Sequence, residues 1–366
     1  MNQFIFLGQK EWDDPLFRFY FDTLVRELGS QKYLVKFVNS FDPSEKIVDP
    51  KHHSIINFFY KDTDAIHAIT ELEAGSFTRV CFASDVENYE AYEDAYRVAD
   101  AFICPSEMHK KVLGYAFDLP IYSLIEAIDP LIRVAEPLVP DPIKARRLVW
   151  FGYPESYRRS MPIFESTIQE ALGLGYIDSF SVISLESLQK ELPSTFRFLP
   201  FTTSQLTAQL KEHDLALLSH VPLDLSINSL IKSPNKAVSS IACGLIPICS
   251  DTPNYRELMD RLGLQQYLFE SSRALGEILK TLAQTENAQL NTYLNAAHHY
   301  IEQHYSATYQ THHYLKIVAD LKIQKPSHLS GKVPLKLFKS PDSEIKLRFY
   351  VRQQWARLKR LLQSNA

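Results

Sequence analysis

The residues best able to do chemistry sit together in KSPNKAVSSIACGLIPICSDTPNYREL, positions 232–258. Lys232 and Lys236 bracket Ser233, Pro234 and Asn235. Serine before proline signals a helix start, so Ser233 is expected as the N-cap and Pro234 as the first helical residue. Gly244 supplies the stop, and Val238, Ile241 and Ala242 share one face at helical spacing. A helix start carries unpaired N–H groups and about half a positive charge, so acids are the stabilising choice there. Two lysines at that point cost about 0.3–1 kcal/mol each. Either both point into water or an anion offsets the cost, and phosphate or diphosphate suits such a site best. The run DTPNYREL at 251–258 opens a second helix directly after an apolar strand. Thr252 is placed to cap it, Pro253 takes the first position, and Asn254 with Glu257 has capping-box spacing. Tyr255 falls in that first turn, as a ligand contact or as part of an ordinary helix start.

Strand and helix signals alternate almost throughout, which predicts parallel sheets wrapped by helices. Strands are expected at 4–7, 33–38, 54–59, 79–83, 101–104 and 120–125. Between them fall a helical pattern through Leu16, Tyr20, Leu24 and Leu28, and helices at 63–72, 89–99 and from about Glu107. EPLVPDPIKARR, at 136–147, is rich in proline and charge and reads as a linker. A second series follows, with strands at 148–151, 180–184, 197–199, 215–218 and 245–249. Its helices are expected at 161–172, 234–243, 252–262 and 272–283, with one long helix over 290–321. The expected architecture is α/β, with doubly wound domains at 1–140 and 141–325 and a tail at 326–366. Ligands usually bind in the cleft outside the carboxyl ends of such strands. His220 ends the strand at 215–218, as a ligand contact or an ordinary loop histidine.

The 366 residues are 45% hydrophobic and 22% charged, with a net charge of -4, which does not point to nucleic acid as a partner. The charge is uneven: residues 331–366 carry nine Lys/Arg and two Asp/Glu, net +7, leaving about -11 on the rest. Cys81, Cys104 and Cys249 lie in apolar runs and Cys243 ends a helix, with no CxxC spacing. Buried reduced thiols are expected, which fits a cytoplasmic setting. The first residues lack the features of a signal peptide, and no run approaches about 18 apolar residues. His298 with His299, and His312 with His313, stand 14 apart on a helix, which is not a metal-ligand spacing. Residues 343–362 form an amphipathic pattern, with Leu347, Val351, Trp355, Leu358 and Leu362 as the stripe and Arg348, Arg352, Arg357, Lys359 and Arg360 around it.

The 232–258 segment resembles the donor site of GT-B glycosyltransferases, the nucleotide-sugar enzymes of bacterial surface-polysaccharide and glycoconjugate synthesis. LVWFGYPES at 148–156 is similar to the first strand and glycine loop of their C-terminal domain. VADAFICPSEMHKKV at 98–112 is similar to a segment of their N-terminal domain. The order fits over roughly residues 1–325. The resemblance implies two tandem Rossmann-like domains with a C-terminal helical tail, an acceptor domain first and a donor domain second. It implies hexosyl transfer from a UDP- or GDP-type donor to a glycan or lipid-linked acceptor, without metal or other cofactor. Gly152, Tyr153, Arg158, Arg159, His220, Lys232, Ser233, Asn235, Lys236 and Tyr255 are the expected donor-binding residues. Arg158 and Arg159 are expected in the loop after Gly152, as diphosphate ligands or as solvated charges. One departure is plain: retaining members have two glutamates eight positions apart, and Ile231 and Ser239 stand there instead.

Such transfer needs charge stabilisation on the departing diphosphate and removal of an acceptor proton. For an inverting route the base candidates are Asp85, then Glu87, then Asp13 and Asp14. In a retaining route the donor phosphate itself can take the proton. The tail at 343–362 either docks on the N-terminal domain, as such helices commonly do in this family, or lies on an anionic lipid surface at the inner face of the membrane. Two other readings remain open on sequence: a sugar-nucleotide epimerase, and a partner subunit that binds the nucleotide without turnover.

Overall fold

The computed structural model describes residues 2–8, 17–39, 52–72, 77–84, 89–132, 142–220 and 231–323. These form two compact units. One holds the described residues up to 127 together with 231–232 and 307–323, and the other holds 128–220 and 233–306.

The first unit is a six-stranded parallel sheet in the order β2-β1-β3-β4-β5-β6. Its strands are β1 (Asn2–Gly8), β2 (Leu34–Asn39), β3 (His53–Phe59), β4 (Phe77–Phe82), β5 (Ala101–Cys104) and β6 (Ile121–Ser123). Side chains alternate across a strand, so one run of apolar residues serves two cores. Phe4 and Phe6 of β1 join Ile55, Val80 and Phe82 on one face. Ile5 and Leu7 join Ile56, Phe58 and Cys81 on the other. Helices α1 (Thr23–Ser30), α2 (Thr63–Thr70), α3 (Tyr89–Val98) and α4 (Glu107–Ala116) connect the strands.

The helical pattern through Leu16 to Leu28 resolves differently from expectation. Phe17–Asp22 is a stretch of π-helix that leads into α1. The wider turn buries all six of its residues, four of them aromatic. The Thr23 hydroxyl donates to the Arg18 carbonyl five residues back at 2.8 Å, tying the start of α1 to the wide turn.

The second unit is a parallel sheet in the order β12-β11-β10-β7-β8-β9. Its strands are β7 (Arg147–Phe151), β8 (Ser179–Ser184), β9 (Arg197–Pro200), β10 (Leu215–Leu218), β11 (Ile246–Ser250) and the short β12 (Leu268–Phe269). The chain builds outward from β7 in one direction, then returns to β7's other side and builds the opposite way. The switch lies between β7 and β10, paired through Leu148 with Leu215 and Val149 with Ala216. Next to this start of the pair, Arg147 grips the buried Asp214, with Nε 2.7 Å from Oδ2. Burial alone would raise the Asp214 pKa, but hydrogen bonds from Arg147 outweigh it and hold the carboxylate below its ordinary value.

The helices here are α5 (Pro154–Ser160), α6 (Glu165–Gly173), α7 (Leu206–Lys211), α8 (Asn235–Ala242), α9 (Pro253–Leu262), α10 (Ser272–Gln284) and α11 (Asn287–His304). Two corrections follow. The loop expected after Gly152 is α5, because Pro154 is pre-set for a first helical position. The helix expected over 161–172 is a short 3₁₀ turn at Pro162–Phe164 followed by α6.

The single long helix expected over 290–321 is also two. After α11, Tyr305 leaves the helical path at φ -124° and its carbonyl accepts the Ile128 N–H at 2.9 Å. The chain resumes as α12 (Ala307–Ile323), which belongs to the first unit. Tyr314, Ile317, Val318 and Leu321 of α12 pack into the core around Phe4. Gln310 donates to the carbonyls of Phe19 and Ile125 at 3.0 and 2.9 Å, and the Tyr314 hydroxyl donates to Asn57 Oδ1 at 2.6 Å.

All four cysteines are free and buried, and burial pushes the Cys243 thiol up to about 12. Among the described residues no helix is long and apolar enough to cross a membrane. Residues 136–141 of the expected linker and the amphipathic stretch at 343–362 lie outside the described residues.

Tyr314→Phe leaves the buried Asn57 carboxamide oxygen without its donor. It is expected to destabilise the protein by about 1–3 kcal/mol in denaturant unfolding; an unchanged midpoint would place α12 elsewhere.

Candidate functional site

The carboxyl end of β7 is where two of the candidate residues, Gly152 and Lys236, meet. The Gly152 N–H donates to the Ile183 carbonyl at 3.1 Å, and its own carbonyl accepts the Ser184 hydroxyl at 2.8 Å. Both peptide groups flanking this glycine are thereby tied to β8. A Cβ placed on Gly152 would lie 2.8 Å from Lys236 Nζ and 2.9 Å from the Trp150 ring. Glycine is needed here for space; its backbone is not in the left-handed region.

Lys236 reaches this gap from α8. Its ammonium donates to the Phe151 carbonyl at 2.8 Å, and Nζ lies 5.5 Å from the Trp150 ring centroid and 5.3 Å from that of Phe151. The helix that carries it is fixed by burial, since Ala237 through Ala242 are all buried. The start of α8 differs from expectation by one residue. Pro234 flanks the helix at ψ 16°, and its carbonyl accepts the N–H groups of Ala237 and Val238. Ser233 therefore stands one place before the cap, where its hydroxyl accepts the Asn235 N–H at 3.2 Å. Lys232 is exposed and counts with Ile231 among the residues of the first unit. Ile231 and Ser239, where paired glutamates were the alternative, are both buried.

His220 stands at the end of β10, with its N–H donating to Ser250 Oγ at 2.9 Å. Its ring lies parallel to that of Tyr255, with centroids 5.1 Å apart and planes at 14°. Tyr255 is buried, which raises its phenol pKa well above the ordinary value, with Cys249 adding to the effect. It is a wall beneath the half-buried imidazole. Pro253 takes the first position of α9 as expected, but the capping box does not form. Thr252 makes no side-chain cap, and Glu257 pairs with Arg261 at 2.7 Å. The buried Asp251 holds Arg256 through a two-point ion pair, with Nε to Oδ1 at 2.7 Å.

Arg158 and Arg159 lie on the last turn of α5 rather than in a loop. The Arg158 guanidinium pairs with Glu191 at 2.7 Å and Glu155 at 3.3 Å. The hydrogen bond to Glu191 is the main cause that raises Arg158 and lowers Glu191. Arg158 is thus engaged with carboxylates, and Arg159 beside it is exposed. Tyr153, which flanks the start of α5, is 53% exposed. Asp85, Glu87, Asp13 and Asp14 lie outside the described residues. Among the described residues no three His, Cys, Asp or Glu side chains are grouped to hold a metal ion.

The second unit thus brings together Gly152 and Lys236, and stacks His220 on Tyr255 at the end of the neighbouring strand. Sequence reasoning missed Trp150, buried under the Lys236 ammonium. Its signal was the aromatic pair directly before the glycine in LVWFG.

No protein-family profile matches the chain, and no curated protein matches it in sequence. Solved structures do match. An α-glucosyltransferase in complex with UDP and a 13-mer DNA is similar over 87% of this chain and 99% of its own, with a TM-score of 0.63 at 13% identity. Anabaena HepE in complex with UDP matches over 87% of this chain and 100% of its own, with a TM-score of 0.60 at 13% identity. S. aureus TarM, in a complex that includes UDP, matches over 72% of this chain with a TM-score of 0.54 at 10% identity. The chain spans about half of TarM's length, 55%. These neighbours are GT-B glycosyltransferases. The two parallel six-stranded sheets give this chain the same GT-B fold, as the sequence resemblance implied.

Gly152→Ala is expected to displace the Lys236 ammonium or the Trp150 ring and to destabilise the protein by about 1–3 kcal/mol. Denaturant unfolding checks this, and an unchanged midpoint would mean that the gap is wider than the structure gives.

Proposed function

We propose that the chain is a glycosyltransferase that moves a hexosyl group from a UDP- or GDP-type donor to a glycan or lipid-linked saccharide. The observation that supports this most is the Lys236 ammonium, held at the β7–β10 switch point beside a glycine with no room for a side chain. Ligands of open α/β sheets bind at such switch points. UDP in the complexes of three structural neighbours favours a nucleoside diphosphate here.

In the proposed reaction the bond from the sugar's anomeric carbon to the diphosphate oxygen breaks. A new bond forms from that carbon to an acceptor oxygen. Negative charge grows on the departing diphosphate, and Lys236 with the first turn of α8 is preorganised to receive it. The acceptor proton goes to a base, for which Asp85 is the first candidate and Glu87 the second, or to the departing phosphate. Neither Ile231 nor Ser239 supplies a carboxylate to hold the hydroxyls of the donor's ribose or sugar, so on this proposal the grip on the donor falls mainly on its diphosphate, through Lys236. Ser233 and Asn235 extend the same anion site, and His220 on Tyr255 is a platform for the donor. No metal is required on this reading. The basic stretch at 343–362 is proposed to hold the enzyme at an anionic inner membrane face, as surface-polysaccharide or glycoconjugate synthesis on a lipid carrier would need.

A thermal-shift panel of UDP, GDP, CMP and dTDP tests the donor class. At a hundredfold excess over Kd a ligand stabilises by about 2.7 kcal/mol, which is several degrees for a protein of this size. UDP or GDP is expected to give that shift, and Lys236→Met to remove most of it when the shift is measured from the variant's own ligand-free Tm. A full shift in the variant would overturn the site. Turnover of the donor without an acceptor would point to an epimerase instead.

A further inference from the structure

We propose that Trp150 is a positioning residue for the donor site, holding the Lys236 ammonium where the diphosphate is bound. The proposal rests on the donor reading above and adds a residue to it. Lys236 ends a flexible four-carbon stem, and an ammonium is a point charge with no geometry of its own. Something must fix where that charge sits. Its restraints include the Phe151 carbonyl at 2.8 Å, the Phe151 ring with its centroid 5.3 Å from Nζ, and the indole with its centroid at 5.5 Å. A cation within about 6 Å of an indole ring is attracted by its negative face.

The indole is itself anchored at its polar edge. Trp150 is 2% exposed, and its Nε1–H donates to Ser219 Oγ at 3.2 Å. Ser219 exchanges a hydrogen bond with the buried Ser160 hydroxyl at 2.8 Å, and Tyr157 packs edge-on against the ring at 5.1 Å and 89°. These groups come from β7, α5 and the end of β10, the elements that frame the switch point. The benzo edge of the ring, at Cη2, lies 2.9 Å from where a Gly152 side chain would begin. Ring, glycine and ammonium therefore pack as one layer. A smaller aliphatic at position 150 would release the ammonium without touching the bound nucleotide. Ser219 acts one step further back, through the indole.

Two measurements test this. In a Trp12→Phe/Trp355→Phe background Trp150 is the sole tryptophan, so its emission reports the contact without nucleotide. Adding Lys236→Met is expected to shift that emission in the ligand-free protein, and UDP is expected to change it in the Lys236 form. Unchanged emission in both comparisons would overturn the proposal. UDP titration is the second test. Trp150→Leu is expected to weaken binding by about two- to thirtyfold, the range that an ammonium–indole contact represents. Ser219→Ala, which keeps the ring, is expected to weaken it less, and Trp150→Phe to restore part of the loss. If Trp150→Leu and Ser219→Ala bind UDP as tightly as the unaltered protein, the positioning role is wrong while the donor site stands. If the unaltered protein binds no UDP or GDP, the donor reading fails, and the positioning role fails with it.

Discussion

The hydrogen bond from the Lys236 ammonium to the Phe151 carbonyl is the interaction around which the second unit is arranged. A lysine at a helix start opposes the helix dipole, and a lysine against a sheet edge loses hydration. The local structure offsets both costs in specific ways. The Phe151 carbonyl at the end of β7 accepts the ammonium. Gly152 leaves open the space that any side chain would fill, and the indole beneath supplies a negative face. Each feature is a local oddity alone, and together they hold a cation at the switch point of a doubly wound sheet.

The rest of the unit fixes the two partners of that bond. The Phe151 end is held by the ladder to β8 and by the Ser184 hydroxyl on Gly152. The Lys236 end is held by the buried face of α8, where Ala237, Val238, Ile241 and Ala242 pack away from water. At the opposite, amino end of the same strands, Arg147 and the buried Asp214 lock β7 to β10. The two ends of one strand pair thus carry different duties. One is a tight ion pair that closes the sheet, and the other holds a cation at the carboxyl edge, where ligands of such sheets usually bind.

Much of this was legible in the sequence because periodicity and helix-start chemistry are local. The strands at 101–104 and 215–218 lie where the apolar runs place them, and Pro253 opens α9 as its type dictates. What failed to read was what depends on distant partners. Nothing local in residues 290–321 marks the break at Tyr305, which follows the Ile128 N–H far back in the chain. Arg158 and Arg159 were expected in a loop because the 148–156 segment resembles a strand followed by a glycine loop. Pro154 instead starts α5, and Glu191, 33 residues on, engages Arg158. The π-turn at Phe17–Asp22 escaped because a four-residue spacing of apolar groups fits an ordinary helix equally well. Trp150 escaped because a buried tryptophan in a strand looks like core until the lysine above it is seen.

The central claim is that Lys236 meets a nucleoside diphosphate at the carboxyl end of β7. A crystal structure of the protein with UDP tests it most directly. The account predicts a diphosphate oxygen about 2.7–3.0 Å from Lys236 Nζ, with the Trp150 ring still beneath the ammonium. UDP bound elsewhere, with no diphosphate oxygen within hydrogen-bond distance of Lys236 Nζ, would contradict it.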